Sequence, residues 1–243
     1  MRKYLFAALS LTLVLGSCRH FMGKRVRGNG NIKTEDRSVG NFKNVEVSGA
    51  INVYVSQGQD GQHTFKIEGD ENLLPFVELS QEGDRLIVQT RRGFNLEPSG
   101  DMKIYVSTPV YNNIEVSGAC NIIGESKITN PEDLKLHVSG AGDIKMEVDA
   151  PRVKAEISGG GSINLKGQTK DTDLELSGAG DAHCYDLLAE NTRVEISGAG
   201  SAEVYASVKL DATVSGAGSV SYKGNAGQVS QHISGAGSVS KAN

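Results

Sequence analysis

The chain has no tryptophan, and only seven tyrosines and six phenylalanines among its 243 residues. A core built on large rings is therefore excluded, and short strands with tight corners fit better. Acids outnumber bases, 29 Asp and Glu against 25 Lys and Arg, for a formal charge of −4. With the charges well mixed, no basic patch is available for a nucleic-acid partner. Beyond the first fifteen residues no apolar run is long enough to span a membrane. Gly-x-Ser-x-Gly, His-Glu-x-x-His and phosphate-binding glycine loops are all missing, so no familiar catalytic motif is in place.

What the chain has in quantity is glycine, with thirty copies. Many sit in one motif, Ser-Gly-Ala-Gly, at 139–142, 177–180, 197–200, 215–218 and 234–237. Ser158-Gly159-Gly160-Gly161 is a close variant, and Ser117-Gly118-Ala119-Cys120 and Ser48-Gly49-Ala50-Ile51 are degenerate copies. From Ser117 onward the serines recur after 22, 19, 19, 20, 18 and 19 residues. A fixed period near 20 residues marks a solenoid in which each repeat is one coil.

A second period, of two, runs on both sides of each motif. Leu134, Leu136 and Val138 alternate with Lys135 and His137, and Ile144, Met146 and Val148 follow the corner. Such alternation gives strands with one buried face. Each coil then reads as strand, glycine corner, strand and a short polar return such as 186–192. The corner glycines are Gly140, Gly142, Gly159, Gly161, Gly178, Gly180, Gly198, Gly200, Gly216, Gly218, Gly235 and Gly237. They are expected to take positive φ, which a β-branched residue resists. The architecture implied is all-β, a parallel β-helix of about 19–20 residues per coil with a less regular β N-terminal half. A calcium-binding β-roll fits less well. Asp143 and Asp181 sit one place too early for its repeat, and serine fills that place in other coils.

Residues 1–17 read as an export signal, with Arg2 and Lys3 ahead of an apolar stretch from Leu5 to Leu15. Removing them takes away two bases and no acid, moving the charge from −4 to −6. Leu15-Gly16-Ser17-Cys18 resembles the lipobox of bacterial lipoproteins, which implies lipidation at Cys18. No acidic run follows Cys18, so both periplasm-facing and surface-exposed display on an outer membrane stay open. Residues 18–30, glycine-rich and basic, read as a flexible tether, and 31–243 as a single β domain.

Within that domain, 31–111 is an irregular half lacking the 20-residue period, and 112–243 is the repetitive half. Glu82-Gly83-Asp84 between alternating runs marks a hairpin. Asp70 to Leu74, ahead of Pro75, fits one helical turn. The irregular half is expected to close the N-terminal edge of the stack. At the other end, Gln231 falls on an inward position and serines accumulate. Polar blunting of a monomer is the reading favoured there; weak end-to-end pairing of two molecules is the alternative.

The lipobox, Val45-Glu-Val-Ser-Gly-Ala-Ile-Asn52 and the serial Ser-Gly-Ala-Gly copies together resemble the putative auto-transporter adhesin, head GIN domain family. Its Gly-x-Ile-Asn appears at 49–52 and again at 161–164. The resemblance covers nearly the whole mature chain. It implies a right-handed parallel β-helix in an exported envelope protein, and it carries over no catalytic residue.

Of the cysteines, Cys120 and Cys184 lie three coils apart, roughly 14 Å along the stack, too far for a disulfide. Both are expected to be free and buried. His183 adjoins Cys184, but alternation sends them to opposite faces, so no metal site is expected there. Two positions before the serines, one outward column carries Glu46, Glu115, His137, Glu156, Glu175, Glu195, Thr213 and His232. Stacking places Glu156, Glu175 and Glu195 about 5 Å apart. That is the spacing of a retaining glycosidase pair or of cation ligands, though Lys154 and Arg193 alongside make a mixed-charge solvated face the plainer account. Tyr54, Tyr185 and Tyr205 offer scattered outward contacts. The function expected is a non-enzymatic, lipid-anchored envelope protein offering a β-helical surface to a protein or glycan, with no cofactor. A polysaccharide lyase or glycoside hydrolase, or a purely structural periplasmic module, is the alternative.

Overall fold

A computed structural model describes residues 23–242 of the protein. The expected export signal and the lipidation site at Cys18 lie outside the described residues. Among those residues there is no α-helix, only a 3-10 turn at Leu74–Phe76. It stands where one helical turn was expected, shifted onto Pro75.

The chain opens with β1 (Lys24–Arg27) and β2 (Ile32–Arg37). β3 (Asn44–Gly49) and β4 (Asn52–Gln57) then form the two arms of a first coil. An excursion follows through β5 (Thr64–Asp70), β6 (Val77–Glu82), β7 (Arg85–Thr90), β8 (Phe94–Glu97) and β9 (Lys103–Thr108). The stack resumes with β10 (Asn113–Gly118), β11 (Asn121–Thr129) and β12 (Leu134–Gly140). Three long strands wrap past a corner, β13 (Asp143–Gly159), β14 (Ser162–Gly178) and β15 (Asp181–Gly198). β16 (Ser201–Tyr205), β17 (Lys209–Gly216), β18 (Ser219–Lys223), β19 (Gln228–Gly235) and β20 (Ser238–Lys241) complete it.

Successive coils pair parallel and in register, as a β-helix requires. Ser117 lies opposite Ser139, Ser139 opposite Ser158, and so on through Ser177, Ser197, Ser215 and Ser234. The inward neighbours form matching columns: Val116, Val138, Ile157, Leu176, Ile196 and Val214 are all buried. Each such side chain contributes roughly 1.5–3 kcal/mol by leaving water, and its neighbours above and below complete its packing.

At each corner the two glycines do different jobs. Gly178 has φ +143, and a Cβ on it would sit 2.5 Å from the Gly159 carbonyl oxygen. Gly180 lacks a positive φ, so the expectation for the second glycine of each motif is corrected. Its reason is space: a Cβ there would come 2.5 Å from the Gly161 oxygen and from the Ile157 side chain. Ala179 N–H and Asp181 N–H donate to the glycine carbonyls one coil below, at 2.9 and 3.2 Å. Backbone contact at that range leaves no room for a side chain.

The polar return is not a loop. β15 runs unbroken through 186–192, with Leu187 and Ala189 buried. β14 pairs along this stretch on one side, and on the other Ser207 and Val208 N–H, in the connection from β16 to β17, donate to the Ala189 and Glu190 carbonyls, so the ladder bends without breaking.

The N-terminal half is part of the stack despite its missing period. β3 pairs with β10, Ser48 facing Ser117, and on its other side with β7. β4 likewise lies between β11 and β9. The outermost coil, β7 and β9, is then covered by antiparallel strands. β6 pairs with β7 through the expected hairpin at Gly83, β5 pairs with β9, and β2 with β5. This closes the N-terminal edge.

One boundary differs from expectation. Lys24–Arg27, read as part of the tether, is a strand paired parallel with β8. Its alternation explains this: Arg25 and Arg27 meet Glu97 at 2.8 and 3.1 Å, while Val26 packs against the core.

Candidate functional site

The outward face of the serine-bearing wall carries the glutamate column. Glu46, Glu115, His137, Glu156, Glu175, Glu195, Thr213 and His232 occupy one register position on successive strands. Two residues earlier, a second column runs Asn113, Lys135, Lys154, Asp173, Arg193 and Asp211. The columns interlock. Lys154 Nζ lies 2.8 Å from Glu156 and 3.2 Å from Glu175. Arg193 pairs with Glu195, and His137 Nδ1 is 3.4 Å from Glu156.

These contacts fix the chemistry available. The hydrogen bond from Lys154 holds the Glu156 carboxyl below the usual range, and Glu156 and Glu175 hold the Lys154 ammonium above its own. A glycosidase acid needs the opposite shift, a carboxyl kept protonated near neutrality. Glu156 is instead a fixed anion within a charge ladder.

A second outward feature escaped the sequence reading. A groove of about 580 Å³ runs across the coils where the wall turns, lined by Asp149, Gln168, Leu188, Tyr205 and Ser207 among others. Leu188 is 53% exposed. Gln168 Nε2 and Lys127 Nζ both donate to Asp149, each at 2.8 Å. The available signal was Leu187-Leu188: adjacent leucines in an alternating strand cannot both face inward.

The tyrosines are not scattered. Tyr54 and Tyr105 occupy one register position on β4 and β9, their rings stacked at 5.2 Å and 24°. Lys66 covers the outer ring at 4.7 Å. Held between Tyr54 and Lys66, the Tyr105 ring has both faces occupied, and the stacked pair stiffens the wall. Tyr185 packs under Lys223 at 4.5 Å, and Tyr205 lines the groove.

Cys120 and Cys184 are free and buried, as expected. His183 points outward to Glu203 at 2.9 Å, away from the buried Cys184. Among the described residues no group of three His, Cys, Asp or Glu is placed to hold a metal ion.

Fold and wall together define a β-solenoid that presents registered side-chain ladders on open faces. The chain belongs to the family described as putative auto-transporter adhesin, head GIN domain, which matches residues 41–226. Membership in an adhesin-type family associates it with the cell envelope or surface. The fold is shared with a putative adhesin from Bacteroides fragilis, at TM-score 0.79 and 21% identity, covering 89% of this chain and 100% of that one. A putative lipid binding protein from Parabacteroides distasonis gives TM-score 0.73 at 22% identity, covering 90% and 100%. A putative adhesin from the same species gives 0.72 at 26%, again covering 90% and 100%. No curated protein matches the chain in sequence.

Proposed function

We propose that the protein is a non-enzymatic adhesion rod, tied to the outer membrane by lipid on Cys18, that offers its charged wall to a protein or glycan. The carrying observation is the interlocked ladder of Lys154, Glu156, Glu175, Arg193 and Glu195. Its charges are paired with one another across rigid, registered strands, so they hold a pattern without reorganising. A fixed array of alternating charge suits recognition of a complementary surface. It suits proton transfer badly at Glu156, whose carboxyl the hydrogen bond from Lys154 holds below the usual range. Family membership supports the adhesive role.

The test uses intact cells producing the full chain. Added protease is expected to cleave the rod, and labelled palmitate to enter the wild type but not Cys18→Ala. A protein shielded from protease in intact cells and cut only after the outer membrane is permeabilised would end the adhesin reading. Polysaccharide cleavage that disappears in Glu175→Gln or Glu195→Gln would replace it with a glycosidase.

A further inference from the structure

The two ends of the rod are finished differently. At the N-terminal end the outermost edges carry charge: β2 holds Lys33, Glu35, Asp36 and Arg37. β6 holds Glu78 and Glu82, and Arg37 donates to the Val77 and Leu74 carbonyls at 2.6 and 2.9 Å. Charged and covered edges resist pairing with another chain.

The C-terminal end has far less of this, with Lys241 on β20 as the charged strand residue of its last coil. Among the described residues β19 pairs with β17 alone, so its second edge of N–H and C=O groups has no described partner. Its sequence, Gln-Val-Ser-Gln-His-Ile-Ser-Gly, contains no Asp, Glu, Lys or Arg. Val229 and Ile233 continue the core columns of Leu210 and Val214, which are fully buried, yet stand 41% and 43% exposed. They are core residues with no layer of described residues above them.

We infer that β19 is the docking edge for a second copy of this chain, paired antiparallel about a two-fold axis through Gln231. The register follows from the pattern. Inward residues must face inward residues, so the axis passes through an inward position. Centred on Gln231, Val229 faces the partner's Ile233 and Ile233 faces the partner's Val229. The two Gln231 amides meet on the axis, where each carboxamide can donate to the other. On the solvent side Ser230 faces the partner's His232, so no like charges are opposed. The interface is isologous and closed. A parallel, head-to-tail alternative would have to use the far end's outer edges, β2 and β6, whose charged residues oppose pairing.

Eight residues of edge span about 26 Å. An interface built on that one edge falls at the low end for stable association. The dimer is therefore concentration-dependent.

The full chain in detergent micelles provides the test, with each variant alone and the two flanking cysteine variants also mixed. Gln231→Cys is expected to form a disulfide-linked dimer under mild oxidation. Val229→Cys and Ile233→Cys, each displaced from its own copy by about 13 Å, are expected to stay monomeric singly and to cross-link only when mixed. Ile233→Lys, on an exposed position that leaves the fold intact by circular dichroism, is expected to raise the dimer dissociation constant at least about tenfold. Sedimentation showing monomer throughout, cross-linking at 229 alone as fast as at 231, or an unchanged dimer in Ile233→Lys would each overturn the assignment.

Discussion

Lys154 reaches across the gap between two coils to lie 3.2 Å from Glu175, while keeping Glu156 on its own strand at 2.8 Å. One ammonium thus separates two carboxylates that the register places side by side. The three side chains are 35–52% exposed, so solvent screens the attraction. Lys154→Ala is expected to lower stability by less than about 1 kcal/mol, with most of the loss vanishing in molar salt. Its pH dependence has a sign. Glu156 titrates below its usual value, so the ladder's contribution is present above the ordinary carboxylate range and fades as pH falls through the depressed value. Lys154 titrates above its usual value, so the contribution fades again as strong alkali deprotonates it. The difference in urea midpoint between wild type and Lys154→Ala should form a plateau between these limits. A difference independent of both salt and pH would mean that Lys154 acts through packing alone.

The ladder itself was legible because the corner motif sets a ruler: equal spacing from each serine puts Glu156, Glu175 and Glu195 opposite one another. The excursion from β5 to β9 was not, since its strands reach the stack without any Ser-Gly-Ala corner. Ser48 faces Ser117 only because a long stretch of chain leaves and returns in between, and nothing local encodes that return. A weaker signal was present. Val53-Tyr54-Val55-Ser56 and Ile104-Tyr105-Val106-Ser107 share a pattern, and they pair residue for residue. The strand at β1 was hidden by glycine and arginine, residues that read as linker until Glu97 supplies their partner.

The corner glycines divide by what an added methyl group would meet. Gly178→Ala forces an L side chain into φ +143 and against the Gly159 carbonyl, and is expected to cost more than about 2 kcal/mol. Gly180→Ala, without a positive φ but with no space, should cost a comparable amount through displacement of the coil below. Gly160→Ala meets nothing within 4 Å and restores the alanine found at the same place in the other copies. It is expected to raise stability by about 0.4–1 kcal/mol by narrowing the unfolded ensemble. Thermal melts of the three variants decide it, and a destabilised Gly160→Ala would contradict this division of roles.

Asp70 ties the N-terminal strands to the cap. Its fully buried carboxylate accepts from Ser99 Oγ and N–H at 2.7 and 2.8 Å and from Gly30 N–H at 2.7 Å. The bonds from Ser99, with Gly30 adding to them, hold its carboxyl below the usual value. The tie is therefore present above the ordinary carboxylate range and is released as acid protonates the depressed group. Asp70→Ala is expected to speed amide exchange in residues 24–37 at neutral pH, leaving 134–220 protected. The wild type should show the same local loosening only in acid. Uniform loosening along the chain would place Asp70 in the global fold instead.

The two buried thiols give the sharpest chemical prediction. Burial pushes the Cys184 thiol up to about 12 and moves Cys120 in the same direction. Alkylation requires thiolate and access, and both are denied in the folded rod. Neither Cys120 nor Cys184 should react with iodoacetamide at pH 8 until denaturant is added, and both should then react together, because adjacent coils support one another. Cys184→Ser is expected to destabilise by about 1–3 kcal/mol. It exchanges a small apolar group for a hydroxyl in the column between Leu165 and Val204, all three buried. Cys184→Ala, which only leaves a small void, should cost less. If Cys184 labels in the native protein while Cys120 stays protected, the coils around β15 open on their own, and the stack is not a single cooperative unit.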